Sequence, residues 1–299
     1  AISAKLVGLS FAVDGGKAWY VAVPRETEEA HRMVEIFRPL YENPNTLKVG
    51  QNLKYDLTVL HTYGITLAHP MFDTMLAHYL VQPELRHNMD YLAEIYLGYQ
   101  TIHIDELIGP KGKKQKNMAD LEPAQICDYA CEDADITLQL MQPLKQELEK
   151  YKLTHVFNEI EMPLMPVLAR MEMNGVCLDT NTLAQTGQHF TERMQQLEAD
   201  IYQLAGHEFL LTSPRQVGEV LFDELKLNEK AKKTKSGQYS TGEEVLEAIK
   251  HKHPIVEKIL AHRALKKLLS TYIDALPKLI NPATGHIHTS FNPVSYTHL

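Results

Sequence analysis

The stretch Leu47-Lys48-Val49-Gly50-Gln51-Asn52-Leu53-Lys54-Tyr55-Asp56 decides how the first half of the chain folds. Residues 47–50 predict a short strand that ends in glycine. Asn52 then predicts the N-cap of a helix whose apolar residues share one stripe: Leu53, Leu57 and Leu60. The turn between strand and helix opens at the carboxyl end of the strand, which is where open α/β sheets bind ligands.

The flanking segments predict an α/β part followed by a mostly helical part. Residues 6–14 and 17–23 predict two strands joined by an Asp14-Gly15-Gly16 hairpin turn. Helical periodicity covers residues 26–41, 72–81, 89–97 and 123–150, with Pro143 expected to kink the last helix. This alternation favours an α/β domain on a mixed sheet. After about residue 151 the strand signal nearly ends, and helices are predicted over 159–173, 182–205, 213–225, 242–251 and 255–276.

Composition excludes several classes of protein. The chain has 299 residues, 44% of them hydrophobic, and a formal charge of -8, which suits two folded domains rather than a disordered chain. It has neither an apolar run that could span a bilayer nor a signal-peptide pattern, so we expect a soluble, cytoplasmic protein with no membrane partner. Most of the negative charge lies in the first half, whereas residues 226–235 carry five lysines and residues 258–273 four basic side chains. These clusters could follow a nucleic-acid backbone, or they could be solvated helix faces.

Asp133 is the most informative single position, because the helical spacing places it among Ile126, Ile136 and Leu140. A carboxylate in an apolar seam is costly unless it is paired, hydrogen-bonded or bound to a metal. Tyr129 lies one turn earlier on the same face, and a phenol beside a metal-bound carboxylate can orient a water for attack on phosphorus. Asp56, in the first turn of its helix, is a second candidate ligand for a hard cation. The alternatives are a buried Asp133 bonded to a neighbouring helix, and an Asp56 that only complements the helix dipole.

Two series of motifs carry a resemblance to a known family. In the first half they are Val49-Gly50-Gln51-Asn52-Leu53-Lys54-Tyr55-Asp56, Phe72-Asp73-Thr74-Met75, Arg86-His87-Asn88-Met89-Asp90 and Tyr129-Ala130-Cys131-Glu132-Asp133-Ala134-Asp135. In the second half they are Ile160-Glu161-Met162-Pro163-Leu164, Met173-Asn174-Gly175-Val176, Ser213-Pro214-Arg215-Gln216 and Arg263-Ala264-Leu265-Lys266-Lys267-Leu268-Leu269-Ser270-Thr271-Tyr272. The first series resembles the second and third motifs of the 3′–5′ proofreading exonuclease domain of bacterial family A DNA polymerases (the polymerase I type). The second series resembles the start and the thumb of the polymerase domain.

The resemblance implies a ribonuclease H-like exonuclease domain over residues 1–152 and a helical polymerase segment over residues 153–292. It implies that Asp56 and Asp133 are ligands of Mg²⁺ in a two-metal site and that Tyr129 orients the attacking water. The DNA contacts it implies are Gln51, Asn52, Arg86, Arg263, Lys267, Ser270 and Tyr272. The partners would be a primer–template duplex and a single-stranded 3′ end, bound by a monomer at the nucleoid.

The chain also departs from the family pattern. The first exonuclease motif, Asp-x-Glu on the first strand of the domain, lies upstream of residue 1, so the strands at 6–14 and 47–49 are expected to lose the neighbour between them. Residues 293–299 do not continue the family sequence, and we assign them no function. We therefore expect a catalytically incomplete polymerase segment. The alternatives are a non-catalytic DNA-binding module with a relict exonuclease fold and a stand-alone ribonuclease, although the latter would not need a thumb.

Overall fold

The computed structural model describes residues 3–112, 114–229, 231–234 and 237–294. The chain forms two compact units: the first runs to Asn174 and takes in the residues from Thr289 onward, and the second is Gly175–His288. These units are defined by packing, whereas the boundary expected near residue 152 comes from a resemblance. That family boundary therefore stays a prediction.

The first unit combines two strand pairs with nine helices among its described residues. The strands are β1 Gly8–Asp14, β2 Lys17–Ala22, β3 Lys48–Gly50 and β4 Met71–Asp73. The helices are α1 Thr27–Glu35, α2 Arg38–Tyr41, α3 Leu53–Thr62, α4 Thr74–Val81, α5 Met89–Leu92, α6 Ile104–Ile108, α7 Pro123–Lys150, α8 Thr154–Val156 and α9 Met162–Asn174. A short 3₁₀ turn, Met118–Asp120, leads into α7.

The strands form two separate pairs rather than one mixed sheet. β1 and β2 make the predicted antiparallel hairpin, and β3 pairs in parallel with β4. Among the described residues no strand joins the two pairs. Helix α7 packs on β1, β2 and β3 and buries one apolar face: Ile126, Ile136, Leu140, Leu144 and Leu148. The unit therefore depends on α7 to connect its strands.

The α/β turn differs from the prediction in two details, and both involve Asp73. The helix expected from residue 72 begins at Thr74 instead, because Phe72 and Asp73 belong to β4. The side chain of Asn52 makes no capping bond, since Asn52 adopts the left-handed conformation with φ of 65°. The buried Asp73 carboxylate replaces it, accepting hydrogen bonds from the backbone N–H of Leu53 at 2.7 Å and of Leu76 at 3.0 Å. One side chain thus caps both α3 and α4.

The first turn of α3 also contains a buried ion pair. Lys54 pairs with Glu172 of α9, and both residues are buried. Lys54 also donates to the carbonyl of Phe291 at 2.5 Å, and Glu172 accepts from the Phe291 N–H at 2.6 Å. Three segments distant in sequence meet at this pair, which fixes the rotation of α3 about its axis.

The second unit is helical, as predicted. Its helices are α10 Thr180–Ala205, α11 Pro214–Gly218, α12 Glu243–Glu247 and α13 Pro254–Leu268, followed by a 3₁₀ turn at Leu276–Leu279. Long α10 packs against α13, and a separate apolar core includes Ile201, Leu221 and Ile255. No helix within the described residues is both long and apolar enough to cross a bilayer.

Several predicted helices contain a π-helical segment that periodicity does not reveal. These segments are Ala93–Leu97, Phe157–Glu161, Glu219–Glu224 and Leu269–Ile273. A π segment shifts the hydrogen bond from i→i+4 to i→i+5, which rotates the residues after it around the helix axis. Faces deduced from a constant 3.6-residue period are therefore displaced beyond each segment.

We expect Asp73→Ala to lower the free energy of unfolding by roughly 2–4 kcal/mol, because two helix starts lose the acceptor for their backbone N–H groups. Urea unfolding followed by circular dichroism measures the change. Asp56→Ala is the matched control: Asp56 is exposed and is repelled by Asp73, so its removal should leave stability unchanged or raise it. An Asp73→Ala chain that unfolds at the wild-type urea concentration would contradict the double-cap assignment.

Candidate functional site

The turn between β3 and α3 is held by the side chain of Gln51. Its Nε2 donates to the carbonyl of His87 at 2.6 Å, and its Oε1 accepts from the hydroxyl of Thr74. Asn52, predicted with Gln51 to lie near a substrate, is half-buried beside it. Gln51 therefore ties the strand end to the loop that carries residues 86–88.

Arg86 is exposed on that loop, whereas the next residue is fully buried. His87 faces His78 of α4 with their Nδ1 atoms 2.7 Å apart. Burial, together with the neighbouring His87, lowers the pKa of His78 to about 4, and burial also lowers the pKa of His87. Both rings are therefore neutral at pH 7, so one can donate and the other accept. This pair fixes the loop beneath Arg86, and two histidines nine residues apart gave no signal in the sequence.

Asp56 projects from the first turn of α3, where water reaches its side chain but protein surrounds it on the other sides. These surroundings, with the negative charge of Asp73, raise the pKa of Asp56 to about 7. The pKa of the Tyr41 phenol is also raised, by burial first and by Asp56 second. Asp56 thus lies in an environment that disfavours its own negative charge and would favour a nearby cation.

Asp133 and Tyr129 lie together on α7, as the spacing predicted. The Tyr129 hydroxyl hydrogen-bonds the Asp133 carboxyl group. The Asp133 Oδ1 is buried without any hydrogen-bond partner. Burial, with Glu132 and Asp90 adding repulsion, raises the pKa of Asp133 to about 7. A buried carboxylate oxygen with no donor is costly, and its lone pairs remain available to a cation.

Two further carboxylates, on either side of Asp133, hold one loop. Glu132 accepts from the Tyr99 hydroxyl at 2.8 Å and from the Ile102 N–H at 2.7 Å. Asp90 accepts from the Thr101 hydroxyl at 2.8 Å and lies 3.1 Å from the His103 Nδ1. Residues 99–103 are thereby fixed next to Tyr129 and Asp133. Sequence analysis missed this contact, because the loop has no periodic pattern.

The predicted metal ligands have different charged neighbours. Asp73 lies beside Asp56, whereas Glu132 and Asp90 lie beside Asp133. Throughout the described parts of the chain, no three His, Cys, Asp or Glu side chains are close enough to hold one ion. The bare oxygen of Asp133 fits a metal ligand, but the donors present do not complete a metal centre by themselves.

The predicted DNA contacts of the second unit divide into two kinds. Lys267, Ser270 and Tyr272 are exposed at the end of α13 and in the π segment after it, with Lys266 beside them. We call these four residues the basic surface. Arg263 is half-buried instead, and both terminal nitrogens of its guanidinium donate to Thr241. The resemblance implied a DNA contact for both Arg263 and Lys267, but the hydrogen bonds of Arg263 are made within the protein.

Two family models match the chain. The 3′–5′ exonuclease model matches residues 1–149, and the DNA polymerase family A model matches residues 180–297. These matches agree with the motifs of both halves. They do not favour the DNA-binding module without catalysis as an alternative.

Several bacterial DNA polymerases are similar to the chain over most of its length. The chain is 44% identical to DNA polymerase I of Pseudomonas aeruginosa, covering 97% of this chain and 33% of that protein. It is 38% identical to DNA polymerase I of Chloroflexus aurantiacus, covering 97% of this chain and 32% of that protein. The chain therefore spans about a third of the length of the curated relatives it matches.

A solved structure shows the same fold. The POL domain of Pol1 from M. smegmatis, in complex with DNA primer–template and dNTP, superposes with a TM-score of 0.75 at 29% identity. The match covers 96% of this chain and 46% of that one. With a ribonuclease H-like exonuclease region followed by a helical polymerase region, the chain belongs to the family A DNA polymerases of the polymerase I type.

Proposed function

We propose that the chain is the proofreading and thumb portion of a DNA-directed DNA polymerase. The observation that carries the nuclease half of the proposal is the buried, unbonded Oδ1 of Asp133 beside the Tyr129 phenol. In a purely structural role this oxygen would be expected to have a donor. Family membership supplies the reaction: removal of the 3′ terminal nucleotide of a DNA strand.

Each candidate residue has a part that its position allows. Asp133 and Asp56 are proposed to hold Mg²⁺, which would supply positive charge against the phosphodiester and activate a water. The Tyr129 hydroxyl, which lies beside Asp133, would orient the attacking water. Gln51 and Asn52 shape the substrate side of the strand end, and the exposed Arg86 is positioned to meet a DNA phosphate.

We propose DNA as the partner of the basic surface, Lys266, Lys267, Ser270 and Tyr272. Two lysines, a hydroxyl group and an exposed aromatic ring are groups that contact a phosphate–sugar backbone. The solved relative was captured with primer–template, which supports the same class of ligand here. We also propose that the protein acts as a monomer in the bacterial cytoplasm, at the nucleoid.

The chain should bind a primer–template duplex weakly and with a strong dependence on salt. Replacing Lys267 by Ala should lower the slope of log affinity against log salt by about 0.9, the value for one phosphate contact on duplex DNA. Fluorescence anisotropy of labelled duplex at several potassium chloride concentrations measures the slope. Lys145→Ala, which removes an exposed lysine of α7, is the matched control and should leave the slope unchanged. Equal slopes for the wild type and Lys267→Ala would exclude Lys267 as a contact.

The 299-residue chain should not degrade single-stranded 3′ ends in magnesium. Two-metal hydrolysis needs enough carboxylates to hold two ions about 4 Å apart, and the described residues bring no three candidate ligands together. A longer chain that carries an Asp-x-Glu strand ahead of residue 1 should gain the activity and lose it again with Asp133→Ala. Release of labelled mononucleotide is the readout. Magnesium-dependent degradation by the 299-residue chain itself, abolished by Asp133→Ala, would show that its site is complete.

Asp133→Asn should stabilise the metal-free chain more at pH 8 than at pH 4. The pKa of Asp133 is about 7 in the folded chain, above its ordinary value of 3.8. The folded state therefore binds this proton more tightly than the unfolded state, and wild-type stability falls as the pH rises from about 4 to 7. Allowing for solvent that reaches the site, we expect a gain of about 1–2 kcal/mol at pH 8.

Thermal melts in chelator at the two pH values measure this difference. Asp179→Asn is the control of opposite sign, because Asp179 caps α10 and its pKa is lowered by the N–H groups it accepts from. Its replacement should destabilise the chain at pH 8. An Asp133→Asn variant less stable than the wild type at both pH values would make Asp133 a structural residue.

A further inference from the structure

The segment before α12 folds into a small basic hairpin. Lys233 and Tyr239 form an isolated antiparallel β-bridge. On either side of it, the Thr234 N–H donates to the Gln238 carbonyl at 2.7 Å, and the Ser240 N–H donates to the Lys232 carbonyl at 2.9 Å. Lys226, Lys232 and Lys233 are the described members of the lysine cluster at 226–235, and all three are exposed. We call the described residues of this segment, 232–234 and 237–240, the basic hairpin.

The hairpin is seated on the second unit at its Tyr239 end. The Tyr239 ring lies 5.1 Å from the Phe222 ring, and its hydroxyl donates to the Asp223 carboxylate at 2.6 Å. A Cβ at Gly218 would come within 2.8 Å of the Tyr239 Cβ, so glycine permits this close approach. The ammonium group of Lys233 lies over the same ring, 4.5 Å from its centre.

A second attachment lies directly after the hairpin. Thr241 is 5% exposed. Its carbonyl accepts from Arg263 Nη1 at 2.5 Å, and its hydroxyl oxygen accepts from Nη2 at 3.3 Å. Charge-assisted bonds to a guanidinium are stronger than bonds between neutral groups, and the forked geometry is one that lysine cannot reproduce. Arg263 thus joins the middle of α13 to the end of the basic hairpin.

We propose that Arg263 is a positioning residue: it holds Thr241, and through it the basic hairpin, while the exposed Lys267 makes the phosphate contact on α13. The two residues are four positions apart and share a sign of charge, so sequence alone does not separate their roles. Burial separates the two roles: Lys267 is exposed, whereas Arg263 is half-buried and already donates from both terminal nitrogens. The DNA part of this proposal rests on the proposed function, but the hairpin attachment does not.

Limited trypsin digestion of the 299-residue chain tests the attachment without DNA. Cleavage after Lys232 and Lys233, identified by mass spectrometry, should be roughly tenfold faster in Arg263→Ala, since a charge-assisted hydrogen bond no longer closes the segment. Arg263→Lys should resemble Arg263→Ala, because it keeps the charge but loses the fork. Thr241→Val, which removes only the hydroxyl acceptor, should be intermediate. Lys267→Ala should be cleaved at the wild-type rate.

Salt titrations with labelled primer–template duplex test the role in binding. Lys267→Ala should lower the log–log slope by about 0.9. Between 50 and 200 mM salt, the fold-loss of affinity should therefore be about 3.5 times smaller for Lys267→Ala than for the wild type. Arg263→Ala should weaken binding at every salt concentration with a smaller change in slope than Lys267→Ala. Thermal melts of each variant identify any that fail to fold. If Arg263→Ala fails to fold, Thr241→Val replaces it in the comparison with Lys267→Ala.

The outcomes separate the two claims. Unchanged trypsin cleavage in Arg263→Ala, with a slope lowered as far as in Lys267→Ala, would make Arg263 a direct phosphate contact and overturn the proposal. A wild-type chain that does not bind duplex would overturn the DNA role and the proposed function with it. Faster cleavage in the arginine variants would still establish the attachment in that case.

Discussion

The rest of the first unit depends on one buried carboxylate, that of Asp73. It ends β4, accepts from the start of α3 and from the start of α4, and lies on the strand that pairs with β3. An acid without such donors would be protonated or unfavourable at this depth, and burial does raise the pKa of Asp73 against the opposing effect of the N–H groups. The α/β turn therefore exists in its observed form only while this side chain is in place. The positions of Gln51, Asn52 and Asp56 follow from it.

The charge of Asp73 also reaches the candidate site. Asp56 is repelled by Asp73, and Asp133 by Glu132 and Asp90, and both candidate carboxyl groups have a pKa near 7. Structural needs explain part of this density of acids, because Asp73 caps helices and the other two neighbours hold residues 99–103. The same acids make a negative environment that disfavours the charged form of Asp56 and of Asp133. The side chains that hold the scaffold together therefore also set the charge around Asp56 and Asp133.

The sequence predicted the hairpin, the long helices and the adjacency of Tyr129 and Asp133, because each follows from local periodicity or from a four-residue spacing. It did not predict the cap at Asp73, the His78–His87 pair or the bond from Arg263 to Thr241. These contacts join residues that are distant in sequence or lie in loops, and no periodic rule connects them. The π segments are missed for a related reason: a single i→i+5 step leaves the composition unchanged but rotates every residue after it. The motif resemblance implied roles for individual residues. Only the structure showed which of these side chains are exposed and which are already hydrogen-bonded within the protein.

Helix α3 illustrates how this division is made. Leu53, Leu57 and Leu60 enter the core, which fixes one face of the helix. Lys54 is buried in its pair with Glu172, which fixes a second direction. Such a pair contributes little net stability after its desolvation, but an unpaired charge there would be strongly unfavourable, so the helix has one acceptable rotation. Asp56, two positions after Lys54, is therefore left on the remaining, solvent-facing side. The position of Asp56, the proposed metal ligand, is therefore set by the contacts of its neighbours Leu53, Lys54 and Leu57 rather than by contacts of its own.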